Sequence, residues 1–345
     1  MAQPGKAWIN ITEMCNNRCS YCYAQNSLHD RRRMMPIEDI KNILDKLALL
    51  KIRRCIIIGG EPTLHPEIAE IYKYAKKNKI RISLVSNGSR FADEKFYKKL
   101  KDAGLPSSSI AFSMHASSPQ DSALLTGSSV YFSLFSKGIS NFVKQKLKLH
   151  VNIVISKQTV NKVVPMMDWL KEHHINHGFF NLASPAVSEK GTDSSFVLKF
   201  DQLAQTVEKI YKHAKKINFT ARFLYLAPLC TLPKKLLDIF KKEGLIDAGC
   251  SIRNGSSVLF NIDGDVVPCN HLLDFPVMKK NDLDKYNSKR FLEVWNAPQM
   301  EFMREKTRVY RLEQCKTCPE IALCQGGGCP LFWFNKNIDT NFYKW

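Results

Sequence analysis

Three cysteines lie within eight positions near the start of the chain, in the stretch TEMCNNRCSYCY (12–23). Cys15, Cys19 and Cys22 have the spacing C-x3-C-x2-C, so one loop can present three thiolates to one metal centre. Soft thiolates favour iron–sulfur clusters, which usually take four protein ligands. The loop therefore predicts a cluster with one iron left for another ligand. A zinc site, with His29 as the nearest further ligand, and three unconnected cysteines are the alternatives.

Further candidates lie where β-rich runs end. The turn GGEP follows the run CIIIG, and the dipeptide Ser-Asn comes at the end of RISLVS. In parallel α/β folds, ligands bind at the carboxyl ends of the strands. We therefore expect Cys15, Gly59, Gly60, Ser86 and Ser113 to share one site, with Glu61, Pro62 and Asn87 next to them in the sequence. Each polar residue among them could instead cap a strand.

The elements that must position these residues alternate in type. Short β-branched runs follow one another with amphipathic segments between them, which predicts parallel strands with helices outside. About six such units are too few for a closed eightfold barrel, so the expected fold is α/β, a partial (β/α)6 TIM-like barrel. The predicted strands are 7–12, 55–59, 81–86, 109–114, 149–155 and 177–182, and the predicted helices are 37–50, 67–78, 91–103, 129–147 and 160–174.

The rhythm stops near residue 185, and from Cys250 onward cysteines and glycine turns become dense. That composition predicts a small cysteine-rich α+β domain stabilised by metal more than by a large apolar core. We expect a barrel over 1–220, a bridging region over 221–249, and the cysteine-rich domain with an aromatic tail over 250–345.

Composition limits the cellular context and the partners. The 345 residues include eleven cysteines, start without an apolar targeting stretch and contain no run of 18 apolar residues. We therefore expect a cytoplasmic protein without a membrane span, whose cysteines bind metal. The net charge of +19 favours an acidic peptide or another polyanion, or else reflects lysines on solvated helix faces. Nucleic acid is not expected, since no Arg- and aromatic-rich stretch stands out.

The stretch CNNRCSYCY, followed by GGEP some 37 residues later, resembles the radical S-adenosylmethionine (radical SAM) superfamily. The resemblance implies a [4Fe–4S] cluster on the three cysteines, with S-adenosylmethionine chelated to the fourth iron. It further implies that Tyr23 lies beside the cluster and the adenine and that Glu61 lies near the methionine ammonium group. Ser86, Asn87 and Ser113 are implied near the ribose or carboxylate, with Asn152 as a further candidate. His115 stands where related sequences often have Asp.

The C-terminal pattern, Cys250-x13-Gly264-x4-Cys269 and then CKTCPEIALCQGGGC, resembles the SPASM extension of radical SAM enzymes. The resemblance implies one or two auxiliary [4Fe–4S] clusters. The first would use Cys250, Cys269 and Cys329, and the second would use Cys315, Cys318 and Cys324. A rearranged single cluster of Cys250, Cys269, Cys315 and Cys318 is the alternative.

The sequence departs from this pattern because its last cysteine is missing: nothing after Cys329 is Cys or His. Asp339 is one candidate for the absent ligand, and an open iron is another solution. Cys230, in APLCTLP, could complete the first auxiliary cluster, donate a hydrogen atom to a substrate radical, or only pack. Cys55 opens an apolar strand and is expected to be a core thiol.

The resemblance implies an enzyme that generates a 5′-deoxyadenosyl radical. The leading hypothesis is maturation of a ribosomally made peptide, by a crosslink first and by epimerisation or oxidation otherwise. Expected partners are an acidic leader peptide, an external reductant of flavodoxin or ferredoxin type, and a separate leader-binding protein, since the first cysteine is at position 15. The alternatives are radical epimerisation or dehydrogenation of a small molecule such as a sugar or aminoglycoside intermediate, and an iron–sulfur electron carrier or sensor.

Overall fold

The structure is a computed structural model that describes residues 2–27, 30, 32–285, 287–298, 300–301, 304 and 313–333. Its strands are β1 Lys6–Asn10, β2 Arg54–Ile58, β3 Arg81–Ser86, β4 Ile110–Met114, β5 His150–Ile155, β6 His177–Leu182, β7 Ala186–Ser188, β8 Gly191–Asp193, β9 Thr220–Leu224, β10 Ile246–Asp247, β11 Ser257–Phe260 and β12 Val266–Val267. The longer helices before residue 250 are α1 Ile37–Leu49, α2 Ile68–Lys77, α3 Glu94–Asp102, α4 Pro119–Thr126, α5 Tyr131–Lys144, α6 Val163–Glu172, α7 Phe200–Lys216 and α8 Lys234–Glu243. Further helices span Ser251–Asn254, Lys280–Asp284, Ser288–Trp295 and Ile321–Cys324. No helix in these ranges has the length and apolar composition for a membrane span.

Ten of the strands form one sheet in the order β10-β9-β6-β5-β4-β3-β2-β1-β11-β12. Every neighbouring pair from β10 to β11 is parallel, and only β11 with β12 is antiparallel. The six predicted strands are present in the predicted order, and helices connect them. The expectation of a parallel α/β partial barrel is confirmed.

The helices bury one apolar face against the sheet, which explains why the alternating pattern could be recognised. In α1, acidic Glu38 and Asp39 lie in the first turn and Lys46 lies in the last, each complementing the helix dipole. The apolar face of this helix is fully covered and consists of Ile40, Ile43, Leu44 and Leu47. Helices α4 and α8 were not predicted; α4 has no amphipathic pattern, and α8 lies in the Pro-punctuated bridge.

The C-terminal region continues the sheet of the barrel. Strand β11 pairs in parallel with β1, with Trp8 opposite Leu259. The hairpin from β11 to β12 turns at Gly264, whose φ of 80° is the left-handed conformation that glycine accepts most easily. Strands β9 and β10, from the expected barrel end and bridge, extend the opposite side of the same sheet. The three-part division of the chain stays a prediction.

Candidate active site

The first cysteine group lies on the loop after β1, at the carboxyl end of the parallel sheet. Cys15, Cys19 and Cys22 all line one large cavity of about 580 Å³. The backbone N–H of Asn17 donates to the sulfur of Cys15 at 3.4 Å. Three thiols facing one cavity fit a [4Fe–4S] cluster whose fourth iron is directed at the interior. In the described ranges, no three His, Cys, Asp or Glu side chains converge as a single metal ion would require.

Two adjacent glycines allow the turn after β2 to pack against the cysteine loop. A Cβ atom on Gly60 would lie within 3.0 Å of the carbonyl oxygens of Met14 and Glu13, and one on Gly59 would approach Thr12 equally closely. Two hydrogen bonds close this contact, from Gly60 N–H to Thr12 O at 2.7 Å and from Glu61 N–H to Met14 O at 2.6 Å. The absence of side chains at Gly59 and Gly60 therefore lets the turn approach the cysteine loop, and the backbone hydrogen bonds hold the two together.

Glu61 is a buried carboxylate that joins two strand ends. Its Oε1 accepts from Thr63 N–H at 3.1 Å, from Thr63 Oγ1 at 2.6 Å and from Ser86 Oγ at 2.8 Å, and its Oε2 accepts from Asn87 N–H at 2.6 Å. Burial raises the pKa of Glu61, while these hydrogen bonds act in the opposite direction. The carboxylate thus holds the end of β3 against the turn after β2 and also lines the cavity.

The ends of β3, β4 and β5 contribute amide and hydroxyl groups to the same wall. Asn87 donates from Nδ2 to Asn16 Oδ1 at 2.7 Å, which connects this wall to the cysteine loop. Ser113 on β4 lies opposite Asn152 on β5 in the strand register, and both line the cavity. These groups offer hydrogen bonds of the kind that a nucleoside and an amino-acid carboxylate require.

His115 contacts the cysteine loop directly. Its Nε2 is 3.9 Å from the sulfur of Cys19, and its Nδ1 is 2.8 Å from the hydroxyl of Tyr21. Burial lowers the pKa of His115 to about 4 and, together with the charges of Cys19 and Cys22, raises that of Tyr21 far above its usual value. With its proton on Nε2, the neutral imidazole can accept from the Tyr21 hydroxyl at Nδ1 and donate to the Cys19 sulfur.

Tyr23 lies between the two cysteine regions. Its ring centroid is 4.6 Å from that of His271, and both residues line the cavity. Burial is the main cause of its raised pKa, and the charges of Cys22 and Cys269 raise it further. The ring is thus within electrostatic range of one N-terminal and one C-terminal cysteine.

The seven later cysteines with candidate roles fall into two sets. Burial raises the pKa of Cys269, followed by the charges of Cys329 and Cys250. Burial also raises the pKa of Cys230 to about 12, followed by the charges of Cys324, Cys315 and Cys318. We call Cys250, Cys269 and Cys329 the first auxiliary set, and Cys230, Cys315, Cys318 and Cys324 the second auxiliary set.

The cavity continues away from the cysteine loop into a more apolar half. Phe179 on β6, Leu224 on β9 and Ile246 on β10 line this half. Arg222 is its cationic residue within the described lining, with its guanidinium carbon 5.7 Å from the ring centroid of Phe179. Asp247 lies in the same lining, so this half presents one cation and one anion to a bound group.

The structure brings most of the predicted site residues into this one cavity. Pro62 is buried and lies outside the lining of the cavity. The cysteines of the auxiliary sets also lie outside this lining. Asp339 and His29 fall outside the described residues. Tyr21, Arg222 and His271 were not predicted; only Tyr21 had a signal, since it lies inside the first cysteine motif. The cofactor-binding residues remaining on the wall are Tyr23, Gly59, Gly60, Glu61, Ser86, Asn87, Ser113 and Asn152. Their roles stay predictions.

Two family models match the chain. A model of the Radical SAM superfamily matches residues 9–182, which is half of the chain, and a model of the SPASM iron–sulfur cluster-binding domain matches residues 250–319. The first match contains the N-terminal cysteine loop and the strand ends of the cavity wall. The second contains Cys250, Cys269, Cys315 and Cys318.

Relatives of similar sequence have diverse names. The chain is 24% identical over 342 residues to an Fe-coproporphyrin III synthase of Methanosarcina barkeri, covering 94% of this chain and 82% of that protein. It is 26% identical over 281 residues to a probable GTP 3′,8-cyclase of Methanococcus maripaludis, covering 72% of this chain and 90% of that protein.

Solved structures share the fold. SuiB of Streptococcus suis, crystallised with its precursor peptide SuiA, superposes with a TM-score of 0.73 at 18% identity, covering 100% of this chain and 77% of that chain. The enzyme anSMEcpe with bound AdoMet superposes with a TM-score of 0.69 at 20% identity, covering 98% of this chain and 94% of that chain.

The matched regions, the thiol-lined cavity and the shared fold agree with one another. Both matched families bind iron–sulfur clusters, and the radical SAM superfamily uses S-adenosylmethionine. The chain belongs to the radical SAM superfamily, with [4Fe–4S] clusters and S-adenosylmethionine as its cofactors and a SPASM iron–sulfur domain towards its C-terminal end.

Proposed function

We propose that this radical SAM enzyme modifies a ribosomally made peptide, with a crosslink as the leading product and epimerisation or oxidation as the alternatives. The cofactor, when bound, supplies a 5′-deoxyadenosyl radical that abstracts a hydrogen atom. Crosslinking or oxidation then also removes a proton and one electron from the substrate, and an auxiliary cluster can accept that electron. The residues around the cavity determine what can reach the radical.

The observation that carries the proposal is an open sheet edge beside the cavity. Strand β10 is the terminal strand of the sheet, and both of its residues, Ile246 and Asp247, line the cavity. On its inner side, Leu245 O and Asp247 O accept from the N–H groups of Phe223 and Tyr225, at 2.7 Å each. Backbone groups of Ile246 therefore point outward, where an extended peptide could add as a further strand.

The opposite edge offers less room for such pairing. Val266 on β12 already forms a bridge with Met278. Its N–H donates to Met278 O at 2.9 Å, and its carbonyl accepts from Val277 N–H at 2.8 Å. The shortness of β10 has a simple alternative explanation, because short edge strands discourage aggregation between sheets. The position of β10 beside the cavity favours a substrate edge.

The size of the cavity also supports a peptide. A volume of about 580 Å³ falls within the usual range for one bound ligand. With S-adenosylmethionine against the polar wall, the apolar half would admit one side chain, while the rest of a polymer would stay outside.

The net charge of +19 favours an acidic leader segment, held by this chain or by a separate leader-binding protein. An external one-electron donor of flavodoxin or ferredoxin type completes the scheme.

A small-molecule substrate is the second candidate. Its support is the alignment with the Fe-coproporphyrin III synthase, which covers 94% of this chain and therefore spans both the barrel and the C-terminal cysteines. Arg222 in the apolar half would suit the carboxylate of such a compound. This candidate predicts that an isolated small substrate is consumed without any peptide.

A direct comparison tests the two candidates. Anaerobically reconstituted protein would be reduced and supplied with S-adenosylmethionine and either peptides encoded beside its gene or an iron tetrapyrrole precursor of Fe-coproporphyrin III. We expect a peptide to lose two hydrogens or exchange one, and deuterated peptide to transfer its label to 5′-deoxyadenosine. Formation of Fe-coproporphyrin III with no change in any peptide would overturn the proposal.

A matched pair of variants examines the edge strand. Replacing Ile246 by Pro removes its N–H from the outer edge, and replacing Ile246 by Val keeps it. We expect the Pro variant to raise KM for the peptide at least tenfold, while uncoupled cleavage of S-adenosylmethionine continues. Equal KM values for both variants would contradict binding at β10.

A further inference from the structure

We propose that Cys230 is the fourth thiolate ligand of the second auxiliary cluster. The cluster would then be held by Cys230, Cys315, Cys318 and Cys324. This assignment differs from the expectation that Cys230 completes the first auxiliary set. It does not depend on the identity of the substrate.

Cys230 and Cys324 lie in one buried layer. Cys230 is in a single 3₁₀ turn, Leu229–Thr231, just after β9. The preceding N–H, of Leu229, donates to the sulfur of Cys324 at 3.5 Å, although the two residues are 95 positions apart. Both thiols are 8% exposed and belong to the same core. The turn thus brings Cys230 beside a cysteine of the second set.

A glycine-rich turn closes this contact from the other side. The N–H of Cys329 donates to Leu226 O at 2.6 Å. A Cβ atom on Gly328 would lie within 3.0 Å of Leu226 O and Ala227 O, so only glycine permits this approach. The QGGG segment is therefore the part that packs against the loop carrying Cys230.

An ion pair reinforces the same interface. Glu320, only 5% exposed, accepts hydrogen bonds from Lys241 Nζ at 2.7 and 2.8 Å. Lys241 is on α8, the helix that directly follows the Cys230 turn, and Glu320 lies two positions after Cys318. The helix after Cys230 is therefore held to the loop between Cys318 and Cys324.

The other roles considered for Cys230 fit less well. A hydrogen-atom donor has to reach the substrate, but within the described residues the cavity is lined by Leu226 and not by Cys230. Simple packing leaves Cys315, Cys318 and Cys324 as a set of three, whereas four soft ligands are the usual set for a [4Fe–4S] cluster.

The test counts and characterises clusters. The parent protein would carry Cys15→Ala, Cys19→Ala and Cys22→Ala, so that only auxiliary clusters remain. Iron and acid-labile sulfide per chain, together with EPR and Mössbauer spectra, would be measured after anaerobic reconstitution. We expect Cys230→Ala to lose the iron of one cluster or convert it into a three-iron cluster. Cys55→Ala, a core thiol on β2 that is 1% exposed, is the matched control and should keep the parent values.

Combined variants identify the auxiliary set with which Cys230 shares a cluster. In a protein that also lacks Cys315 and Cys318, Cys230→Ala should remove no further iron. In a protein that lacks Cys250 and Cys269, the same change should disrupt the one remaining cluster. The reverse pattern would assign Cys230 to the first auxiliary set and overturn the proposal, and so would full iron with unchanged spectra in every background.

Cys230→Ser separates ligation from folding. Serine keeps the size of the side chain and offers an oxygen ligand. We expect this variant to have the same free energy of unfolding in urea as the parent. Its second auxiliary cluster should keep all four irons but show an altered EPR spectrum. A spectrum identical to that of the parent would show that position 230 does not bind iron.

Discussion

At the scale of single residues, His115 is the side chain that most directly modifies the first cluster site. The imidazole Nε2 lies 3.9 Å from the Cys19 sulfur, and its Nδ1 lies 2.8 Å from the Tyr21 hydroxyl. Hydrogen bonds to cluster sulfurs raise the reduction potential. With its proton on Nε2, His115 would make a cluster held by Cys19 easier to reduce.

Replacing His115 by Leu should lower the reduction potential of the N-terminal cluster. A hydrogen bond worth ~1 kcal/mol corresponds to about 40 mV for one electron. The measurement is an EPR-monitored redox titration of protein without auxiliary clusters. His177→Leu is the control, since His177 starts β6 and its Nε2 contacts Leu149 O at 3.0 Å. An unchanged potential in the His115→Leu variant would show that the contact has no electronic effect.

At the scale of elements, the turn after β2 and the cysteine loop form one unit. Gly59 and Gly60 remove the side chains that would separate them, and backbone hydrogen bonds from Gly60 and Glu61 close the contact. Glu61 then attaches the end of β3. The two glycines therefore allow the turn after β2 to pack against the cysteine loop, and this packing positions the thiols before any cofactor binds.

Replacing Gly60 by Ala should displace the cysteine loop. The added Cβ would meet the carbonyls of Met14 and Glu13, and overpacking of this kind costs about 1–3 kcal/mol. We expect a lower free energy of unfolding in urea and loss of the N-terminal cluster's iron. Gly5→Ala is the matched control, because its Cβ would have no neighbour closer than 3.7 Å. Equal iron content in both variants would refute this role of Gly60.

At the scale of the whole molecule, the sheet joins two regions with different tasks. Strand β11 continues the barrel sheet beside β1, and Tyr23 contacts His271 across the two regions. The N-terminal thiols line the cavity, whereas those of the auxiliary sets lie outside its lining in the described ranges. We therefore propose that radical generation and later electron transfer take place in different parts of the molecule.

This division predicts that replacing different cysteines abolishes different activities, either the cleavage of S-adenosylmethionine or the formation of product. Replacing Cys15 by Ala should abolish the reductive cleavage of S-adenosylmethionine, because the radical SAM cluster loses a ligand. Replacing Cys315 by Ala should leave measurable cleavage but no modified product. Chromatographic assay of 5′-deoxyadenosine and of product separates the two results. Full product from the Cys315→Ala variant would remove the second auxiliary set from the reaction.

Much of the site could be predicted because its signals are local. The spacing of Cys15, Cys19 and Cys22 is read from one loop, and GGEP is read from one turn. The alternation of strands and helices determines that these segments share the carboxyl edge of a parallel sheet. The partial barrel followed from that pattern, whereas the family and the cofactors followed from the resemblance that the two motifs carry.

Contacts between distant segments could not be read from any local pattern. The sequence by itself determined which residues can bind clusters and which strand ends carry them, because motif spacing and periodicity are short-range properties. Only the tertiary structure decided that Cys230 lies beside Cys324 and that His115 faces Cys19. These pairs are separated by 94 and 96 positions along the chain. Their proximity depends on how the whole sheet and its connections pack.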